Sequence, residues 1–150
     1  MDKLDIRHLN LNSSMRYTPL TEADPFAYNA ENGEALFFFE LDESQRGNFE
    51  PDKDTLFGTL VFCGKAVSSK AAGDYIKQAG TFGDFLELPA GSYLFAQKRE
   101  LLNRDDIIDM AVEIQAEGLW QRLKLKSGLY LRYLFEDGNM VTQLFRPYTE

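Results

Sequence analysis

The stretch that most constrains this chain is LYLRYLFEDGNMVTQLFRPY, residues 129–148: two apolar, strand-like runs separated by EDGN. Asp137-Gly138 is a strong hairpin signal, because Gly138 can take the positive φ that a tight two-residue turn needs. Two such runs joined this closely lie antiparallel and side by side. Just upstream, Asn103 is a good N-cap, with Asp105 and Asp106 placed to favour the positive end of a helix dipole. Ile107, Ala111 and Ile114 then fall on one face at helical spacing, flanked by Ile108 and Val112, while Asp109, Glu113 and Glu117 take the wet face. The spacing predicts a helix over 104–117, ended by Gly118.

Before the helix, FLELPAGSYLFAQ (85–97) reads as two strand segments around Pro89-Ala90-Gly91. The proline interrupts the hydrogen-bonding ladder at the bend, where a missing N–H costs least, and Gly91 supplies a position without a β-carbon. From residue 85 onward the order is therefore strand, helix, strand, strand. Further upstream, EALFFFELDE reads as a buried strand running into a polar loop, and TLFGTLVFCGKAV as a second strand, with Gly58 marking a bulge or a close backbone approach. These two are expected to pair antiparallel. SSKAAGDYIKQAGTFGD is expected to hold at most a short helical turn over 71–78. Residues 1–33, with Pro19, Pro25 and no sustained period, read as irregular or linker-like.

The formal net charge of −8 and the scattered basic residues argue against direct nucleic-acid binding, which needs a clustered basic face. Arg122, Lys124 and Lys126 alternate with Leu123 and Leu125 and read as the solvated side of one element. No apolar run approaches the roughly 20 residues of a membrane helix, and MDKLDIRHLN lacks the apolar centre of a secretory signal, so a cytoplasmic protein without membrane association is expected. Cys63, the single cysteine, allows no internal disulfide and reads as a small buried hydrophobe. The fold class expected is α+β in one domain over 1–150, an antiparallel sheet backed by a helix.

The LPAGSYLFAQ strand pair, the helix RDDIIDMAVEIQAEG and the hairpin LYLRYLFEDGNMVTQLFRPY, together with LFGTLVFCGKAV before them, resemble the GyrI-like ligand-binding domain shared with the Rob carboxy-terminal part and the BmrR effector domain. The resemblance covers about two thirds of the chain, and its Pro-x-Gly-x-Tyr element is Pro89, Gly91 and Tyr93. It implies tandem strand-helix-strand-strand units forming a curved antiparallel sheet around a central cleft, the first unit here degenerate. It also implies a small-molecule ligand, and a DNA-binding partner domain or protein if the chain serves transcription regulation. In drug-sensing members a buried glutamate follows a tyrosine on the strand after the helix and binds lipophilic cations; here the matching positions read Tyr130, then Leu131 or Arg132. Neither is an anion. An inward Arg132 would favour a carboxylate or phosphate ligand, whereas on the outer face it would only be solvated. Strand alternation does not decide between these, since both faces are apolar.

The residues placed around such a cleft are Phe37, Phe39, Phe62, Tyr93, Phe95, Trp120, Tyr130 and Tyr133 as apolar walls, with Glu40 and Arg132 as charged members. Each aromatic also has a plain role in the core. Catalysis is less well provided for. His8 is the only histidine, so a triad, a metal site or haem ligation would rest on it alone, and no glycine-rich nucleotide motif is present. No catalytic residue, metal or cofactor is assigned. The reading preferred is a non-catalytic small-molecule sensor. The alternatives are a hydrolase using carboxylates among Glu40, Glu87, Glu113 and Glu136, or an interaction protein with a filled cleft. Sheet edges leave room for a homodimer.

Overall fold

The computed structural model describes residues 4–19, 25–26, 34–53, 56–66, 86–100 and 102–149. Its strands are β1 (Arg7–Leu11), β2 (Met15–Pro19), β3 (Ala35–Glu40), β4 (Thr59–Ala66), β5 (Leu86–Leu88), β6 (Gly91–Lys98), β7 (Lys124–Leu125), β8 (Gly128–Glu136) and β9 (Asn139–Thr149). A single turn of 3-10 helix covers Glu43–Gln45, and α1 runs from Arg104 to Trp120. The fold is mixed α+β, with a large antiparallel sheet and, among the described residues, one α-helix. The short turn expected over 71–78 lies outside the described residues.

The strands run in the order β1-β6-β9-β8-β3-β4-β2-β5, every pairing antiparallel, with β7 added to β9. The two ends of this order are covalent neighbours of strands at the opposite ends. Residues 12–14 join β1 to β2, and residues 89–90 join β5 to β6. Arg7 to Leu11 pair with Phe95 to Gly91, and Met15 to Tyr17 pair with Leu88 to Leu86. Residues 7–19 and 86–98 thus form one long ladder bent in the middle, whose halves attach to β9 on one side and β4 on the other. The ring closes into a small, distorted barrel, the arrangement by which antiparallel sheets dispose of most of their edges. Within residues 1–33, expected to be irregular or linker-like, Arg7–Leu11 and Met15–Pro19 are instead strands of this ladder.

The bend is held by specific contacts. Gly91 sits at φ +147, a conformation that L side chains rarely adopt. The Tyr93 hydroxyl donates to the Pro89 carbonyl at 2.5 Å, and the Ala90 N–H donates to Ser14 Oγ at 3.1 Å, so the two bent segments brace each other. The hairpin between β8 and β9 turns as expected, with Asp137 at φ 52 and Gly138 at φ 80. Between β3 and β4 the register slips: Phe38 pairs with Phe62 but Phe39 with Leu60, leaving Val61 as the extra residue. Gly58 makes a close approach instead, since a β-carbon there would lie 2.5 Å from the Glu40 carbonyl oxygen.

Asn103 caps α1 as expected, its side chain accepting from the Asp106 N–H at 2.8 Å. Ile107, Met110, Ala111 and Ile114 bury against Phe37, Leu94, Ala96, Leu131 and Leu144 on the outer face of the barrel. Gly118 does not end the helix, which continues to Trp120 with Gln121 as its cap. Gly118 is buried where β7 approaches, and a β-carbon there would meet Leu125 Cδ2 at 2.6 Å and Leu94 Cδ1 at 3.0 Å. Close packing, rather than termination, is what the glycine supplies. No helix is long and apolar enough to cross a membrane among the described residues.

One buried polar bridge ties the loop after β3 to the helix. Gln115, fully buried, donates from Nε2 to the carbonyls of Gln45 and Asn48, each at 2.7 Å, and accepts from Arg146 Nη1 at 3.0 Å. Arg146 Nε donates to the Lys126 carbonyl at 2.8 Å, while Nη2 is buried without a partner among the described residues. Burial, reinforced by the nearby Arg46, pulls the Arg146 pKa down to about 10.

Candidate functional site at the barrel mouth

Strand alternation sends Leu36, Tyr93, Tyr130 and Phe145 into the barrel, where they meet Tyr17 and Leu88 from the other end of the sheet order. Rings pack edge to face between Tyr93 and Tyr130 (6.1 Å) and between Tyr93 and Phe145 (5.9 Å), and Phe38 lies 4.5 Å from Tyr130. These side chains pack together as one buried cluster. At the barrel mouth, beside the Pro89–Gly91 bend, is a cavity of about 260 Å³. Its wall is the bend, Ser92 and Pro147; its floor is Phe38, Tyr93 and Tyr130; its rim is Glu40, Lys126, Ser127 and Gly128.

The floor is apolar with phenolic hydroxyls. The Tyr93 hydroxyl is engaged by Pro89, whereas among the described residues the Tyr130 hydroxyl has no hydrogen-bond partner. Burial pushes the Tyr130 phenol up to about 12, and burial followed by repulsion from Tyr130 raises that of Tyr93, so both stay neutral near pH 7. On the rim, the Glu40 carboxylate accepts from Ser127 Oγ at 2.8 Å, and Lys126 brings an opposite charge to the same opening. Gly128 has to be small, since a β-carbon there would lie 2.5 Å from Phe38 Cε1.

Of the residues placed around the cleft from sequence, Glu40, Tyr93 and Tyr130 line it. Phe95 lies on the same face, half-buried, its ring 4.9 Å from Phe145. Phe37, Phe39 and Tyr133 face the opposite way, into the core under α1; Phe37 meets Tyr133 edge to face, and the Tyr133 hydroxyl donates to the Pro25 carbonyl. Trp120 lies on the outside of the molecule, 77% exposed. Phe62 pairs with Phe38 through its backbone, and its side chain is outside the described residues. Phe38, Lys126, Ser127 and Gly128 also line the cavity, although the sequence reading places none of them at a cleft; Lys126 reads there only as part of a solvated face. Phe38 was accessible to it, as the middle member of the Phe37–Phe39 run on the opposite parity.

Arg132 points inward, but not to the cleft. Its Nη2 pairs with Glu34 Oε2 at 2.8 Å, its Nε contacts the same oxygen at 3.0 Å and its Nη1 reaches Gln143 Oε1 at 3.2 Å. Tyr17 donates to that Glu34 oxygen at 2.5 Å, and Gln143 donates to Gln97 at 2.9 Å. Glu34 already neutralises the guanidinium, which removes the reason to read Arg132 as an anchor for an anionic ligand. Leu131, the other candidate position, is buried under α1.

The carboxylates considered for hydrolysis do not converge. Glu40 is on the cleft rim, Glu87 pairs with Arg16 at 3.5 Å, Glu136 with Arg99 at 3.8 Å, and Glu113 lies on the far side of α1. His8 joins β1 to the helix end, with Nδ1 2.7 Å from the Tyr148 hydroxyl and Nε2 2.6 Å from Gln121 Oε1. Among the described residues no cluster of three His, Cys, Asp or Glu is placed to hold a metal. No family model matches this chain, and no curated protein sequence matches it.

Proposed function

We propose that the protein is a small-molecule binding domain of the GyrI-like type, acting as a non-catalytic sensor, with the barrel mouth as its site. The observation that carries this reading is the cleft itself: an apolar floor of Phe38, Tyr93 and Tyr130, the Tyr130 hydroxyl without a partner among the described residues, and a rim with the Glu40 carboxylate and the Lys126 ammonium. Concave apolar sites with a few placed polar groups are the usual form of small-molecule pockets, and about 260 Å³ suits a compact ligand. Strand order supports the family resemblance. β6, β8 and β9 lie in the order β8-β9-β6, and β2, β3 and β4 lie in the order β3-β4-β2, with β3 beside β8. A pseudo-twofold between two strand-connection-strand-strand units has this arrangement. Coupled to a DNA-binding partner, such a domain would act through a ligand's differential affinity for two arrangements.

The test is a thermal-shift screen with compact aromatic organic cations and organic anions, followed by the same screen on Tyr130→Phe. A ligand of this site at a hundred times its Kd adds about 2.7 kcal/mol of stability, and loses part of that when the free hydroxyl is removed. No stabilisation by either class, or stabilisation indifferent to Tyr130→Phe and Phe38→Ala alike, would refute the assignment.

A further inference from the structure

A second concavity lies on the outer side of α1, away from the barrel mouth. Its volume is about 470 Å³. One wall is the chain entering β1, with Leu4 and Ile6 half-buried; the other is the helix surface from Glu113 through Ala116 to Trp120, closed off by Phe49 from the loop after β3. Trp120 is 77% and Phe49 50% exposed, so two of the largest apolar side chains of the molecule stand in solvent at one place. Neither contributes to the barrel core or to the cleft. Exposed aromatics gathered in a groove are the usual mark of a contact surface, and tryptophan is enriched among residues that dominate binding energy.

Shape and charge narrow the occupant. Positions 113, 116, 117 and 120 follow the i, i+3, i+4, i+7 spacing of one helix stripe, so the groove extends for about 10 Å along α1. An elongated, open trough of this kind accommodates a segment of chain laid alongside the helix. Its lining is acidic: Glu113 is exposed, and half-buried Glu117 accepts from the Gln121 side-chain amide at 2.9 Å. Asp5, beside Leu4 and Ile6, is already paired with Arg7 at 2.8 Å, so the charge offered at the groove is that of Glu113 and Glu117, on a chain that carries −8 overall. We infer that this groove docks a basic amphipathic segment of a partner protein. An apolar side chain of that segment enters between Phe49 and Trp120, and its lysines or arginines meet Glu113 and Glu117. Apolar anchorage at the centre and complementary charge at the rim is the ordinary anatomy of such an interface.

Trp120 is the only tryptophan, so its emission reports the groove directly. The probe is a leucine–lysine peptide with helical amphipathic patterning, compared with its scrambled isomer of identical charge, titrated into the full chain. The result expected is a saturable blue shift of Trp120 emission with the patterned peptide and much weaker binding of the scrambled one. With labelled peptide followed by anisotropy, Trp120→Ala weakens binding about thirtyfold, and Glu113→Lys/Glu117→Lys weakens it about tenfold with a reduced salt dependence. These positions are on the surface, so circular dichroism and Tm serve as controls that the variants stay folded. Equal binding of the scrambled peptide, or full binding by all variants, overturns the inference. So does occupation of the groove by a small cation such as tetraphenylphosphonium with no peptide binding, or a self-association that Trp120→Ala abolishes.

Discussion

Replacing Gln115 with leucine tests whether the buried bridge between the helix, β9 and the loop after β3 is structural. The amide makes three hydrogen bonds from a fully buried position: two donated to Gln45 and Asn48 carbonyls at 2.7 Å, one accepted from Arg146 at 3.0 Å. Losing the charged bond leaves a second guanidinium nitrogen of Arg146 buried and unpaired, beside the Nη2 that is so already, a change of about 1.5–3 kcal/mol. The two carbonyl bonds contribute roughly 1 kcal/mol each, and the more apolar leucine returns on the order of 1 kcal/mol. A net loss of about 2–4 kcal/mol lowers Tm by roughly 4–16 °C for a domain of this size. Hydrogen exchange should quicken at Gln45 and Asn48, whose amides bond within the same loop. A double-mutant cycle sharpens the test: Gln115→Leu/Arg146→Met is expected to be less destabilised than the sum of its parts, with coupling of about 1–3 kcal/mol, because removing the guanidinium removes the stranded charge. A Tm change under about 2 °C for Gln115→Leu, or strict additivity in the cycle, would show that the bridge contributes little and the loop is held by other means.

Alkaline titration gives a second prediction. Tyr17, Tyr93 and Tyr130 have raised folded-state pKa values, chiefly through burial, so the stability they contribute is fully present below pH 10 and lost as pH rises through about 12, the value for Tyr130. Arg146, depressed to about 10, works in the opposite sense over that range, and three phenols outweigh one guanidinium. Absorbance near 295 nm should show these tyrosines ionising only with unfolding; complete titration near pH 10 in a folded chain would contradict it. At the cleft, Gly128→Ala puts a β-carbon 2.5 Å from Phe38 Cε1, forcing the ring against Tyr130. Overpacking of about 1–3 kcal/mol should lower Tm by roughly 2–12 °C and alter the near-ultraviolet circular dichroism; an unchanged Tm would mean that the floor of the cleft yields freely.

The local signals that proved readable were those with a stereochemical cause. Asn103 starts the helix, Asp137-Gly138 turns the hairpin and Pro89-Ala90-Gly91 bends a strand, because each residue type does there what few others do. Gly118 misled because a helix glycine is equally a place for another strand to approach, and its neighbour, Leu125, belongs to β7. Residues 7–19 were opaque because their partners are 86–98: RHLNL alternates too briefly to declare a strand without the ladder it completes. The parity of β3 and β8 was hidden for a physical reason, since one face packs under a helix and the other inside a barrel, leaving both apolar. Phe37, Phe39 and Tyr133 therefore read as well as Phe38 and Tyr130, though only the latter pair reaches the mouth. Nor could Arg132 announce Glu34, its partner 98 positions away.

The bent ladder also bears on how the molecule comes into being. β9 lies between β6 and β8, β8 meets β3, and residues 7–19 meet 86–98, so the ring closes only through contacts distant along the chain. During synthesis, residues 7–19 wait for 86–98 to emerge, and the pair so formed still lacks β9 on its flank. Such topologies fold slowly, since the chain loses entropy in long loops before distant pairings compensate. Until then the inner strands are open edges rich in phenylalanine and tyrosine, the kind of surface that seeks foreign strands. A released chain truncated before residue 139 therefore displays a sheet with a missing stave, and chaperone capture of that truncated chain should greatly exceed that of the full sequence.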